Sequence, residues 1–125
     1  MYYDIIENKI ALVHRLCLKS YHMFDNEYSV MPKQIDCLTN DLNLQTFDCA
    51  ILTLNGIVLE MSFKYLWKTS EIKIDQVYSN YPLPQYTPVN VKLTDNSILV
   101  QAVNKDITDI VGNNQQKLIS YIRRN

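Results

Sequence analysis

The apolar residues near the N-terminus recur at the spacing of an α-helix. Between Asp4 and Phe24 they lie three, four or seven positions apart, with charged residues between them. Asp4 is an N-cap residue type, and Glu7 follows three positions later as in a capping box. The pattern predicts an amphipathic helix with Cys17 near the centre of its apolar stripe. The stripe consists of Ile6, Ile10, Leu12, Val13, Leu16, Cys17, Met23 and Phe24.

The segment 25–46 has a weaker pattern. Pro32 suits the first turn of a helix, and Ile35, Leu38 and Leu42 follow at helical spacing. We therefore expect a short second helix there.

A β-hairpin is predicted at 47–68, where two runs of β-forming residues flank Asn55-Gly56. This dipeptide is the strongest short signal for a two-residue type I′ turn. Such a turn fixes the register, places Leu54 opposite Ile57 and makes one face of the hairpin the core. The residues expected on that face are Ala50, Leu52, Leu54, Ile57, Leu59, Met61, Phe63, Tyr65 and Trp67.

Further strands are predicted at 71–78, 89–94 and 97–103. The last two flank Asp95-Asn96 and form a second hairpin. Its register aligns Val91 with Val100 and Leu93 with Ile98. Together these segments indicate an antiparallel sheet of about five strands.

The C-terminal segment has helical spacing again, with Asp106 as a possible N-cap and Asp109 three residues later. Gly112 and the two asparagines after it interrupt the pattern, so one helix and two shorter helices both fit. The basic residues Arg123 and Arg124 would complement the dipole at the helix C-terminus. The apolar positions are Ile107, Ile110, Val111, Leu118 and Ile122.

Size and composition fit one α+β domain spanning 1–125. The chain has 125 residues, of which 47% are hydrophobic and 20% charged, enough apolar material for one core. The expected order is an N-terminal amphipathic helix, a short helix, the antiparallel sheet and a C-terminal helix.

Charge and cysteine content narrow the function classes. Twelve basic and 13 acidic residues give a formal charge of -1, which disfavours nucleic-acid binding. Neither a secretory signal pattern nor an apolar run long enough to span a bilayer occurs, so no membrane association is expected. Cys17, Cys37 and Cys49 are odd in number and widely spaced, which argues against a disulfide framework and favours the cytoplasm.

Catalytic and metal-binding patterns are weak. His14 and Cys17 lie one helical turn apart, but Cys17 sits in the apolar stripe, where a cysteine usually packs as a small hydrophobe. Nucleophile-elbow, P-loop, dinucleotide and zinc patterns are absent from the sequence. We therefore expect no enzymatic activity, cofactor or metal.

The best candidate surface is the segment 78–88, which interleaves three tyrosines with three prolines. A stiff segment loses little entropy on binding, and tyrosine offers a large amphipathic contact area. The alternative is a connector whose tyrosines pack back onto the sheet. Acidic residues nearby in sequence would complement a basic partner. The candidate partner-binding residues are Tyr78, Tyr81, Tyr86, Asp36 and Asp41.

These features favour a protein-binding module, most simply an immunity or inhibitor protein that neutralises a toxin or enzyme by surface complementarity. One alternative is a secretion chaperone, because the order helix, antiparallel sheet, helix resembles the general plan of type III secretion chaperones. That resemblance implies a dimer that binds an extended client segment. A third interpretation is a small ligand-binding domain of cystatin-like plan, in which Asp48, expected opposite Phe63, would line the pocket. The sequence leaves the oligomeric state open.

Overall fold

The computed structural model describes residues 2–39, 45–81, 83, 85–108 and 114–123, and within them one helix is followed by seven strands. Strands β1 to β4 form one antiparallel sheet in chain order, and β5 to β7 form a second one. The elements are α1 (Tyr2–Tyr28), β1 (Pro32–Leu38), β2 (Thr46–Thr53), β3 (Val58–Leu66), β4 (Glu71–Tyr81), β5 (Tyr86–Leu93), β6 (Ser97–Thr108) and β7 (Asn114–Ile122).

The four-stranded sheet is covered on both faces. On one face, Leu16 and Phe24 of α1 pack against a buried cluster that includes Phe63. On the other face, Leu52 packs with Val100 and other buried residues of the three-stranded sheet. Successive side chains of a strand point to opposite faces, so β2 is buried on both sides.

The N-terminal helix is confirmed, with a small rotation of its buried side. Leu16 and Phe24 are buried together with Ser20, whose hydroxyl donates to the carbonyl of Leu16 at 2.7 Å, whereas Cys17 is only half-buried. The helix begins at Tyr2, so Asp4 is not its N-cap. It ends where Ser29 adopts a φ of 52° and donates its N–H to the carbonyl of Asp25. Within the described residues no helix combines the length and the apolar character needed to cross a membrane.

The first hairpin forms, but its predicted register is wrong by one residue. Thr53 N–H donates to Ile57 O at 2.9 Å, and Gly56 N–H donates to Thr53 O at 3.1 Å. Gly56 has a φ of 84°, so the loop has three residues and ends in a glycine bulge instead of a type I′ turn. A one-residue shift reverses which faces meet, and Ala50 therefore lies opposite Glu60.

The predicted second helix is wrong, because its described part forms β1. Ile35 and Cys37 face α1, and Gln34 and Asp36 face the three-stranded sheet. A strand is normally recognised by the alternation of apolar and polar residues, and here Gln34 and Asp36 occupy inward positions where apolar residues are expected. Without that alternation, the short apolar run fitted a helix as well as a strand. Leu42 lies outside the described residues.

The predicted C-terminal helix is also wrong. Its described residues continue β6 to Thr108 and form β7, which pairs with β6. Ile119 and Tyr121 pack inward with a period of two, which is the period of a strand. Residues 109–113, with Gly112, lie outside the described residues. Arg123 follows this inward row, so it does not complement a helix dipole.

The prediction of one five-stranded sheet is replaced by two sheets of four and three strands. The chain passes from one to the other between Tyr81 and Tyr86, which a strand pattern alone does not reveal. The third predicted strand is confirmed as β4. The second hairpin is confirmed in its register, and Thr94 N–H donates to Ser97 O across its turn at 2.9 Å.

Candidate functional site

The two edges of the three-stranded sheet have different surroundings. At the β5 edge, Val91 N–H donates to Gln34 Oε1 at 2.6 Å, and Leu93 N–H donates to Asp36 Oδ2 at 2.7 Å. Both acceptors are side chains of β1, and both amides point away from β6. These two outward amides are therefore satisfied from within the chain.

The orientation of the β7 backbone follows from one hydrogen bond. Arg123 N–H donates to Asn96 O at 3.0 Å, so Arg123 faces β6. Because antiparallel residues alternate between hydrogen-bonded and non-hydrogen-bonded pairs, Tyr121 and Ile119 face β6 as well. The backbone N–H and C=O groups of the alternate residues point away from β6. These residues are Leu118, Ser120 and Ile122. No other strand of the described residues pairs with this side of β7.

The side chains along this edge are apolar and carry little charge. Leu118 is 67% exposed and Ile122 is 84% exposed, both on the outer face of the sheet. Lys117 is the only charged residue of the strand. Edge strands that avoid pairing with other chains usually carry charges, prolines or bulges. The β7 edge (Leu118, Ser120 and Ile122) has the features of a pairing surface.

The β4 edge of the other sheet is protected by charge. Glu71, Lys73 and Asp75 are exposed at alternate positions along it. Charged side chains along an edge discourage the approach of a further strand. The β4 edge thus carries an alternation of charges that the β7 strand lacks.

A groove of about 400 Å³ runs beside the β7 edge. One wall is β7 from Lys117 to Tyr121, and the other contains Leu83, Gln85 and Tyr86. Lys117 Nζ lies 5.4 Å from the centre of the Tyr86 ring, within the range of a cation–π contact. The groove thus places one positive charge and an aromatic ring next to outward-facing backbone.

Arg123 anchors the C-terminal end of β7 in the core. Its guanidinium bonds to the carboxylates of Glu60, at 3.2 Å, and of Asp48. It also donates to the carbonyls of Thr94 and Asp95 at 3.0 and 3.2 Å. The side chains of Arg123 and Glu60 are 1% and 0% exposed. A charge-assisted network of this kind fixes the strand beside the groove.

The described residues of the predicted partner-binding set lie in different environments. Tyr86 lines the groove, and Tyr78 is half-buried on β4. Tyr81 is buried, and its hydroxyl donates to Glu60 Oε1 at 2.7 Å. Asp36 accepts the amide of Leu93. Asp41 lies outside the described residues, and the binding role of the set stays a prediction.

Asp48 has a different environment from the one expected. It lies opposite Ser62, not Phe63, and faces the three-stranded sheet, where Arg123 binds it. This position follows from the corrected hairpin register. The carboxylate is therefore engaged by a neighbouring cation.

Two of the three cysteines form a disulfide, contrary to the sequence prediction. The β1–β2 register places Cys37 directly opposite Cys49, and their sulfurs are bonded. The prediction failed because it used only the number and spacing of the cysteines, and the β1–β2 pairing that brings Cys37 next to Cys49 was not predicted. The cysteine argument for a reducing compartment no longer holds, and the cytoplasmic location stays a prediction.

The third cysteine is a packed thiol near the disulfide. Burial raises the pKa of Cys17 to about 12, the Asp36 carboxylate adds to the rise, and a hydrogen bond with the backbone of Cys37 opposes it. A raised pKa disfavours the nucleophilic thiolate. His14, its proposed neighbour, is exposed. Among the described residues no cluster of three His, Cys, Asp or Glu side chains is placed to hold a metal ion.

Sequence reasoning missed the residues that matter most at this site. Arg123 was predicted to complement a helix dipole and Glu60 was not singled out as a site residue, yet both are buried. One signal was present: Ile119, Tyr121 and Arg123 alternate with exposed positions, as in a strand. For Leu118, the same alternation would have indicated the outer face.

No family model, curated protein or solved structure matches this chain. The function is therefore inferred from the geometry of its residues.

Proposed function

We propose that this chain is a non-enzymatic protein-binding module that adds an extended segment of its partner to the sheet at the β7 edge. One observation carries the proposal: the backbone N–H and C=O groups of Leu118, Ser120 and Ile122 point away from β6. The aliphatic side chains of Leu118 and Ile122 are exposed along the same edge. In strand addition, main-chain hydrogen bonds supply affinity, and pockets for alternate side chains supply specificity. The groove with Tyr86 provides such a pocket.

The rigidity of the edge supports this mode of binding. Arg123 holds the end of β7 through four hydrogen bonds from its guanidinium, two to the carboxylates of Glu60 and Asp48 and two to carbonyls of the β5–β6 turn. A surface that is already ordered loses less entropy when a partner binds. The added segment would then bear most of the cost of ordering.

A catalytic role has little support in the described residues. Asp48 and Glu60 bind Arg123, and burial suppresses the thiolate form of Cys17. Catalytic acids, bases and nucleophiles need accessible groups whose pKa suits the reaction. These three groups act in packing and in charge pairing.

The partner we propose first is a toxin or enzyme that the chain neutralises as an immunity or inhibitor protein. The secretion-chaperone interpretation loses its closing C-terminal helix, which is β7. It remains the alternative because an extended client segment suits strand addition equally well. The two differ in assembly: the chaperone interpretation requires a dimer. Light scattering of the purified chain separates them.

The decisive variant for strand addition is Ser120→Pro. Its N–H points away from β6, so proline removes no internal hydrogen bond, and edge positions of this kind tolerate proline. The substitution would nevertheless remove a donor from the added ladder and obstruct the approach of another strand.

The experiment is affinity capture from the native lysate with wild type, Ser120→Pro and the control Ser120→Ala, which keeps the N–H. We expect wild type and the alanine variant to retain one stoichiometric partner that the proline variant loses. Circular dichroism and thermal melting establish that all three are folded. Equal capture of that partner by a folded proline variant would contradict the proposal.

A further inference from the structure

The side chains around the β7 edge favour some added strands over others. This inference rests on the strand addition proposed above. Side chains of an added strand alternate between the two faces of the sheet. On the outer face they lie next to Leu118 and Ile122, which are 67% and 84% exposed. Aliphatic side chains at these positions would remove apolar surface from water on both partners.

The inner face presents the opposite chemistry. The Lys117 side chain points into the groove and lies over the Tyr86 ring. Among the residues whose side chains are described, the ion pairs involve Arg123, and none of these pairs reaches Lys117. The groove therefore contains a positive charge that no carboxylate with a described side chain neutralises.

The register places one partner residue directly against this charge. Lys117 belongs to the row whose backbone faces β6, so its pairing with an added antiparallel strand is of the non-hydrogen-bonded kind. In such pairs the two side chains are closest, with Cα atoms about 4.5 Å apart. Opposite charges in this position attract each other, and like charges repel.

We infer that the β7 edge binds a protein segment with an acidic side chain opposite Lys117 and aliphatic side chains opposite Leu118 and Ile122. The evidence is charge complementarity in the groove combined with the exposed aliphatic row on the outer face. A basic segment is disfavoured, because it would bring a second positive charge against Lys117.

The test uses two blocked peptides of about ten residues, the usual upper length of a strand. Both alternate valine with threonine. One carries glutamate at a central threonine position, and the other carries glutamine there. Titration calorimetry measures their binding to wild type, Lys117→Gln, Lys117→Arg and Ser120→Pro. Circular dichroism verifies the fold of each variant.

We expect the glutamate peptide to bind wild type about fivefold more tightly than the glutamine peptide, the upper range for a solvent-accessible ion pair. The difference should persist in Lys117→Arg, disappear in Lys117→Gln and shrink at high salt. Both peptides should lose binding to Ser120→Pro.

The outcomes separate this inference from the proposed function. Equal binding of both peptides to wild type, lost in Ser120→Pro, would overturn the acidic preference and leave strand addition intact. Unchanged binding to Ser120→Pro would contradict strand addition itself. A wild-type dimer that Ser120→Pro abolishes, with no peptide bound, would make a second copy the occupant and overturn the inference.

Discussion

The β5 and β7 edges belong to the same three-stranded sheet, yet only one is closed from within. At β5 the outward amides of Val91 and Leu93 bind side chains of β1. At β7 the outward residues Leu118, Ser120 and Ile122 have no described strand beside them. A sheet edge presents unpaired backbone groups, and in this sheet the described hydrogen bonds satisfy outward amides at β5, whereas no described strand covers β7.

The comparison shows how polar residues in strands divide between folding and binding. Asp36 was proposed as a partner contact, and in the structure it caps the β5 edge. Leu118, an apolar residue, lies on the outer surface of β7. The character of a side chain alone therefore does not identify the binding surface, because the strand register decides which groups point outward.

Removing the anchor of β7 should have the largest effect on stability. Arg123→Met leaves the carboxylates of Glu60 and Asp48 without their cation, and Glu60 is fully buried. We expect the free energy of unfolding to fall by about 3–5 kcal/mol, the usual cost of removing one partner of a buried ion pair. Denaturant titration measures the loss.

The matched control for that prediction adds Glu60→Gln and Asp48→Asn to Arg123→Met. Neutral amides do not leave a buried charge, so part of the lost stability should return. If Arg123→Met alone were as stable as wild type, the buried network would not hold β7 and the preordered edge would lose its support.

Removing the disulfide should have the second-largest effect on stability, through β1, whose side chains bind the outward amides of β5. Cys37 and Cys49 join β1, which provides the caps of β5, to β2 across a separation of 12 residues. Closing a loop of this size stabilises a protein by about 3 kcal/mol in the chain-entropy account. We expect a loss of about 2–3 kcal/mol for Cys37→Ala with Cys49→Ala.

Thermal melting under non-reducing conditions tests this disulfide prediction. Cys17→Ala is the matched control because it removes a thiol without breaking a covalent bond, and it should cost about 1 kcal/mol, a typical value for a single substitution. Equal losses in both variants would mean that the disulfide adds nothing beyond packing.

The smallest expected change in the free energy of unfolding comes from single substitutions, one at each edge of the three-stranded sheet. Asp36→Ala leaves the part-buried amide of Leu93 without an acceptor, at a cost of about 1–3 kcal/mol. Ser120→Ala changes an exposed side chain on β7 and should alter stability by less than about 0.5 kcal/mol. Equal destabilisation of the two variants by denaturant would remove the distinction between the edges.

Local sequence signals predicted the elements with strong patterns. The long amphipathic period located α1, and the two-residue turn at Asp95-Asn96 gave the correct register of the second hairpin. At Asn55-Gly56 the same kind of signal belongs to a three-residue loop. A glycine with positive φ occurs both in the two-residue type I′ turn and in the three-residue loop with a glycine bulge, so the dipeptide does not distinguish them. Turn chemistry therefore located the first hairpin without fixing its faces.

The remaining elements were not predicted because polar residues occupy inward positions of their strands. Gln34 and Asp36 in β1 and Arg123 after β7 point inward, so the alternation of apolar and polar residues that marks a strand is broken. Their hydrogen-bond partners lie 28 to 75 positions away in the chain, beyond the reach of local pattern. The same long-range contacts kept the candidate site from being predicted, apart from Tyr86.

Residue-resolved hydrogen exchange of the purified chain tests the contrast between the edges most directly. We expect slow exchange for the amides of Val91 and Leu93, which are capped. Along β7, Ile119 and Tyr121 should also exchange slowly, while Leu118, Ser120 and Ile122 between and beside them exchange fast. Protection of these three amides equal to that of their neighbours would show a covered edge and contradict the account.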